Sequence, residues 1–218
     1  DTLCEERIIR RIRKEFPDHD ILAEESGTMN QPSEYKWIID PLDGTVNYAH
    51  NYPLFCCSIG VEHQGKIVAG SVFEPNLNEL FWARRGHGAF LNRKKIRVSK
   101  ERILRRSLLA TGFAYDVDEE VERNMTLFRD FIIKAQAVRR DGVAAVDLCY
   151  VACGRFDGFW EKGLYAWDVA AAALIIREAG GSTTLLDGGP IDIYAREICA
   201  SNGRIGKQMV EIIQHGDD

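Results

Sequence analysis

From Trp37 to Ser99 the chain alternates short apolar runs with tight turn signals, and this β-rich stretch limits the possible folds more than any other feature. Trp37-Ile38-Ile39-Asp40 comes first. Phe55 to Pro75 follows, with Gly65 supplying a turn between two apolar segments, and then Glu79 to Ser99. Strands joined by connections this short must run antiparallel, so the pattern predicts a meander.

Helical signals lie on either side. Residues 1–16 place Ile8, Ile9, Ile12 and Phe16 at helical intervals with charges between them, which predicts an amphipathic helix. After a short strand at Leu108–Gly112, the segment from Glu119 to Ala135 carries Val121, Met125, Phe128, Ile132 and Ile133 at helical spacing. Gly142 to Val151 is a second, small-residue helix and Phe156 to Glu161 a strand. Asp168 to Ala179 is an Ala-rich helix stopped by Gly180-Gly181. A strand from Ser182, a turn at 186–190, a strand near Ile198–Ser201 and an amphipathic helix from Gly206 complete the chain. Antiparallel strands first, then alternating β and α, predict an α/β layered sandwich. The expected unit is single, 1–218, with an α+β half at 1–107, an α/β half at 108–218 and no linker between them.

The 218 residues and 45% hydrophobic content allow one sizeable core. A net charge of -5 argues against a dedicated nucleic-acid binder, which would show a basic footprint. No apolar run reaches the roughly 18 residues of a membrane span, and the first residues are too charged for a secretory leader. A cytoplasmic setting is the resulting expectation. The six cysteines show no metal-type spacing, and reduced, mostly buried thiols are expected. The five histidines form no ligand pair at i, i+4, so zinc lacks its ligands.

The chemistry concentrates where the first strand of the meander ends. Ile38 and Ile39 run straight into Asp40, Pro41 follows, and Asp43 stands three positions on, before Gly44. Proline biases its predecessor toward extended backbone and turns the chain, so both carboxylates can face one point. Two like charges that close raise one pKa unless a cation neutralises them. Hard cations such as Mg²⁺ take oxygen ligands, often one or two carboxylates plus a substrate phosphate. Upstream, an apolar segment ends at Glu24-Glu25; downstream, Trp167-Asp168 opens the Ala-rich helix. Each acid also has a plain structural reading: an Asx turn for Asp40 and Asp43, a solvated loop for Glu24 and Glu25, an N-cap for Asp168.

These strings carry a resemblance. Glu24-Glu25-Ser26-Gly27, Trp37-Ile38-Ile39-Asp40-Pro41-Leu42-Asp43-Gly44-Thr45-Val46-Asn47-Tyr48, Trp167-Asp168-Val169-Ala170-Ala171 and Glu178-Ala179-Gly180-Gly181 resemble the inositol monophosphatase family of Mg²⁺-dependent, lithium-sensitive phosphatases, essentially over the whole chain. The resemblance implies a layered αβαβα sandwich of the inositol monophosphatase and fructose-1,6-bisphosphatase type. It also implies a homodimer, and in-line attack of water on a small phosphate monoester with two or three Mg²⁺ ions. Glu24, Asp40 and the Leu42 carbonyl would hold the first ion, and Asp40, Asp43 and Asp168 the second. Thr45 would help Glu24 to orient and deprotonate the water. The Gly44 and Thr45 amides would meet the phosphate, and Gly142, Val143 and Ala144, with Glu161, would contact the substrate. Val143 stands where relatives often carry Thr or Ser. Asp1 corresponds to the Asp of the family's T-x-x-D motif, with a catalytic role, and the family's preceding segment is expected to be missing from this chain.

Inositol 1-phosphate or a similar polyol or sugar phosphate is the expected substrate. Fructose 1,6-bisphosphate, NADP(H), histidinol phosphate and 3′-phosphonucleotides are the alternatives within the superfamily, with the segment from Phe113 to Ala137 and the Val143 position bearing on the choice. A different class of role is binding to the transcription machinery, which some bacterial members perform.

Overall fold

The computed structural model describes residues 1–113 and 121–215. Among them, helix α1 (Thr2–Glu15) leads into strands β1 (Asp20–Ala23), β2 (Gly27–Thr28) and β3 (Tyr35–Asp43), and then the short helix α2 (Thr45–Ala49). Strands β4 (Cys56–His63), β5 (Lys66–Glu74), β6 (Glu79–Arg84), β7 (Ala89–Leu91) and β8 (Lys94–Lys95) complete a sheet of order β2-β1-β3-β4-β5-β6-β7-β8. From β3 to β8 every neighbour is antiparallel, as the turn spacing predicts. Gln64 and Gly65 join β4 to β5 with φ of 49° and 74°, the pair of left-handed residues that a two-residue hairpin needs.

After a 3₁₀ turn (Leu104–Arg106), the second sheet has the order β10-β9-β11-β13-β12. Its strands are β9 (Leu108–Thr111), β10 (Ala137–Arg139), β11 (Gly158–Lys162), β12 (Ser182–Thr184) and β13 (Glu197–Ser201). Helices α3 (Val121–Lys134), α4 (Ala144–Cys153), α5 (Ala166–Glu178) and α6 (Gly206–His215) alternate with them. The helix expected from Glu119 is present from Val121, and residues 119 and 120 lie outside the described residues.

The layers follow from which face each element buries. Side chains alternate across a strand, so Ile39 packs with Ile12, Ile21 and Ala23 under α1 while its neighbour Ile38 joins the cluster around α4 and α5. Helices α4 and α5 lie between the two sheets and are therefore apolar around their whole circumference. On the far side of the second sheet, α3 and α6 bury Leu127, Phe131, Met209 and Ile213 against Leu109, Trp160 and Cys199. The result is the αβαβα sandwich.

The helical spacing expected of α3 is present, but it does not say which side faces inward. Its inward stripe is Leu127, Phe131 and Ala135, with Phe128 half-buried, whereas Met125, Ile132 and Ile133 are exposed. Both stripes have helical spacing, and only the position of the second sheet selects between them.

Candidate active site

Asp40 and Asp43 are three residues apart, and in a regular strand they would face opposite sides of the sheet. The register shows why they do not. Asp40 pairs with Ser58 and Asp43 with Cys56, so three steps along β3 match two along β4, a β-bulge at Pro41-Leu42. The extra residue returns Asp43 to the face of Ile38 and Asp40, toward α4 and α5. The Leu42 N–H donates to Asp40 Oδ1 at 2.9 Å and locks the turn. Gly44, at φ 92°, then admits a left-handed step, with Val143 so close that a Cβ at position 44 would stand 2.8 Å from its Cγ2.

Asp43 sits at the start of α4, where its Oδ2 accepts the Ala145 N–H at 2.8 Å. Asp168 occupies the first turn of α5 and accepts the Tyr165 N–H at 2.7 Å. Asp168 is therefore not the N-cap that the sequence suggests: Tyr165 holds that position, and Asp168, at the third helical position, bonds back to the Tyr165 amide while lying against Asp40. Glu24 follows the end of β1, opens to solvent, and likewise hydrogen-bonds Asp40. Three separate segments therefore bring four carboxyls together, with Asp40, 1% exposed, at their centre.

Their ionisation records the crowding. Burial first, then repulsion from Asp43, Glu24 and Asp168, holds Asp40 well above the usual carboxylate range. Asp43 is pushed up to about 8, by burial and then by Asp168, against the pull of the Ala145 amide. Asp168 is pushed up to about 7, mainly by burial. Glu24 is raised too: lost hydration leads, and its bond to Asp40 opposes.

Among the described residues no three of these side chains already stand as a ready-made coordination set; Glu24 and Asp168 lie against Asp40, and Asp43 accepts the Ala145 N–H. The donors nonetheless suit a hard divalent cation, since all are oxygens and their mutual repulsion needs protons or positive charge to offset it. A sign follows for protein stripped of divalent ions. Between about pH 4 and pH 8 the folded chain keeps protons that the same carboxyls, at 3.8 when unfolded, release. Stability falls as pH rises through that window. Thermal melts in chelator at pH 5 and pH 8 check it, with Mg²⁺ raising Tm more at pH 8; a Tm that climbs across this range sinks the reading.

The remaining expected residues divide. The Thr45 hydroxyl donates to the Leu42 carbonyl at 3.0 Å. Gly142, Val143 and Ala144 lead into and begin α4 beside Gly44, and Asn47 ties the two segments by donating to the Leu54 and Asp141 carbonyls at 3.0 and 2.9 Å. Glu161, which could have been a solvent-facing strand end, is only 8% exposed. It is pushed up to about 8 by burial and then by Asp168 and Asp43, with Arg140 opposing. Gly112 makes room for its carboxylate: a side chain there would collide with both Glu161 oxygens. Asp1 contributes its backbone carbonyl to the first N–H groups of α1.

Two acids went unremarked in the sequence. Glu5 is buried and accepts the Glu25 N–H at 3.0 Å. Asp147, 1% exposed, lies on α4 near Asp141 and Glu161, and its Oδ1 has no partner among the described residues. A signal existed for both: Glu5 falls on the Ile8-Ile9-Ile12 stripe, and Asp147 is the lone acid in an apolar helix.

The sequence and the fold are similar to those of known proteins. The sequence matches the model of the inositol monophosphatase family over residues 1–216. It is similar to inositol-1-monophosphatase of Synechocystis, 45% identical over 98% of this chain and 75% of that protein. It is also similar to a putative Nus factor SuhB of Neisseria meningitidis, 41% identical over 94% of this chain and 79% of that one. The solved structure of an inositol monophosphatase from Anabaena superposes with a TM-score of 0.95 at 46% identity, covering 98% of this chain and 85% of that one.

Proposed function

The chain belongs to the inositol monophosphatase family of phosphatases, and from that membership we propose that it is a Mg²⁺-dependent hydrolase of inositol 1-phosphate or a similar polyol or sugar phosphate. The observation that carries this reading is the convergence of Glu24, Asp40, Asp43 and Asp168 beside the first turn of α4.

Glu24, Asp40, the Leu42 carbonyl, Asp43 and Asp168 would hold the ions, which when bound offset the charge of the phosphoryl group and stabilise the entering and leaving oxygens. Glu24, raised in pKa and open to solvent, is suited to take a proton from the attacking water, with the Thr45 hydroxyl orienting it. The Gly44 and Thr45 amides would meet the phosphate. Gly142, Val143 and Ala144 would flank the alcohol portion; Val143 brings only apolar surface, so selectivity for a hydroxyl must come from elsewhere. Glu161, a buried acid raised in pKa by burial and by Asp168 and Asp43, would take that task. A supporting role for Asp1, a single functional unit spanning 1–218 and a homodimer belong to the same proposal.

Phosphate release from inositol 1-phosphate, fructose 1,6-bisphosphate, NADP, histidinol phosphate and a 3′-phosphonucleotide, with and without Mg²⁺ and Li⁺, tests the reading. Replacing Glu161 by Gln is expected to raise KM for polyol phosphates about 10-fold while leaving an aryl phosphate within about twofold; equal losses on both remove Glu161 from substrate recognition. The relatives named as Nus factors favour a second reading, a partner in the transcription machinery. Absence of turnover on the entire panel, with binding to such a partner retained, would select it.

A further inference from the structure

A cavity of about 530 Å³ lies between the β4–β5 hairpin, the C-terminal half of α5 and the segment 191–194. It is separate from the acid cluster, since Arg177 on its wall lies roughly 13 Å further along α5 than Asp168. Its volume falls within the range of roughly 300–1,000 Å³ usual for small-molecule sites.

The charges around it do not cancel. The two acids on the rim are already engaged: Glu62 accepts the Tyr194 hydroxyl at 2.5 Å, and Asp192 accepts the Tyr194 N–H at 2.9 Å. Lys36 lies 5.7 Å from the Tyr194 ring and braces it. The cations are differently placed. Arg85 donates through Nε and one terminal nitrogen to the Ile67 carbonyl at 2.8 and 2.6 Å, which fixes its guanidinium and leaves the other terminal nitrogen uncommitted among the described residues. Among those residues the side chains of Lys66 and Arg177 make no hydrogen bond or ion pair, although both line the cavity. The rest of the lining is largely apolar and includes Ile67, Leu174 and Ile193.

A fixed guanidinium and two unengaged cations in a cavity with an apolar lining match a ligand with an oxyanion head and a nonpolar body. We propose that this cavity is a second binding site, for a small organic phosphate or carboxylate.

Amide-shift titration of the ¹⁵N-labelled, chelator-treated protein tests this with phenylphosphonate, phenylacetate and benzyl alcohol as probes. The expected result is a saturable shift of Gly65, Ile67, Leu174 and Ile193 with an oxyanion, at concentrations where benzyl alcohol gives none. The tighter of the two oxyanions identifies the head group. The double variant K66E/R177E is expected to bind that probe at least 10-fold more weakly while melting as the parent does, and D43N to bind it as the parent does. Unchanged affinity in the double variant, shifts confined to Glu24, Asp43 and Asp168, equal binding of benzyl alcohol, or no saturable shift overturns the proposal.

Discussion

Replacing Asp43 by Asn is expected to lower turnover on the order of a thousandfold while raising the Tm of the metal-free protein at pH 8. The two effects share one cause. Asn keeps the shape and an acceptor oxygen, so the bond from the Ala145 N–H, 2.8 Å in the parent, can be retained and the start of α4 stays capped. What is lost is a carboxylate that burial and Asp168 already push up to about 8. Above the unfolded value of 3.8 that group works against folding, progressively up to its folded value. Removing it relieves a penalty on the order of 1–2 kcal/mol, reduced because the four acids share protons, or roughly 2–8 °C in Tm for a chain of this size. The charge that should engage a cation disappears with it, and a thousandfold loss corresponds to about 4 kcal/mol of lost transition-state stabilisation. Kinetics with Mg²⁺ and melts in chelator are read together. A variant that turns over within tenfold of the parent refutes the metal-site role, and one that melts lower at pH 8 refutes the electrostatic account.

Much of the candidate site is legible in the sequence, because its acids lie at the ends of apolar runs, where local sequence is informative. Asp43 closes β3 and Asp168 lies in the first turn of α5, close to where the sequence puts an element end; Asp40 does not end its strand, because β3 runs on through Pro41 to Asp43. The facing of Asp43 was not legible. That depends on the register of β3 against β4, a pairing between residues fifteen or so positions apart, and on a bulge that exists only once the pairing is made. Register likewise hid the parallel pairing of β1 with β3, and the layer beneath α3 decided between its two helical stripes. Asp147 and Glu5 were missed for another reason: single acids on apolar faces were visible, but whether such a group is buried is a property of the surrounding layers.

The meander is legible in the sequence because its turns are local, yet the tightness of its packing on α5 is not a local property. Gly70 on β5 has no unusual φ, so its need for glycine is steric alone. A Cβ there would stand 2.8 Å from both the Cα and the carbonyl oxygen of Ala171, which are backbone atoms that no rotamer change can move. Gly70→Ala should therefore push α5 away from the sheet, at a cost of roughly 1–3 kcal/mol for overpacking, or about 2–12 °C in Tm. Because α5 carries Asp168 in its first turn, the displacement should also separate that acid from Asp40 and lower activity at temperatures where the variant remains folded.

Three further substitutions distinguish backbone collision from mere crowding. Ala171→Gly should fail to rescue Gly70→Ala, since the Cβ it removes is not what the new methyl meets. Gly60→Ala should be milder, because there the nearest atoms are the Ala170 Cβ at 3.1 Å and the Ala171 nitrogen at 3.3 Å, and Ala170→Gly should partly relieve it. If Gly70→Ala melts within a degree of the parent, the helix is not pressed against this sheet as described, and the position of Asp168 must be fixed by something other than α5 packing.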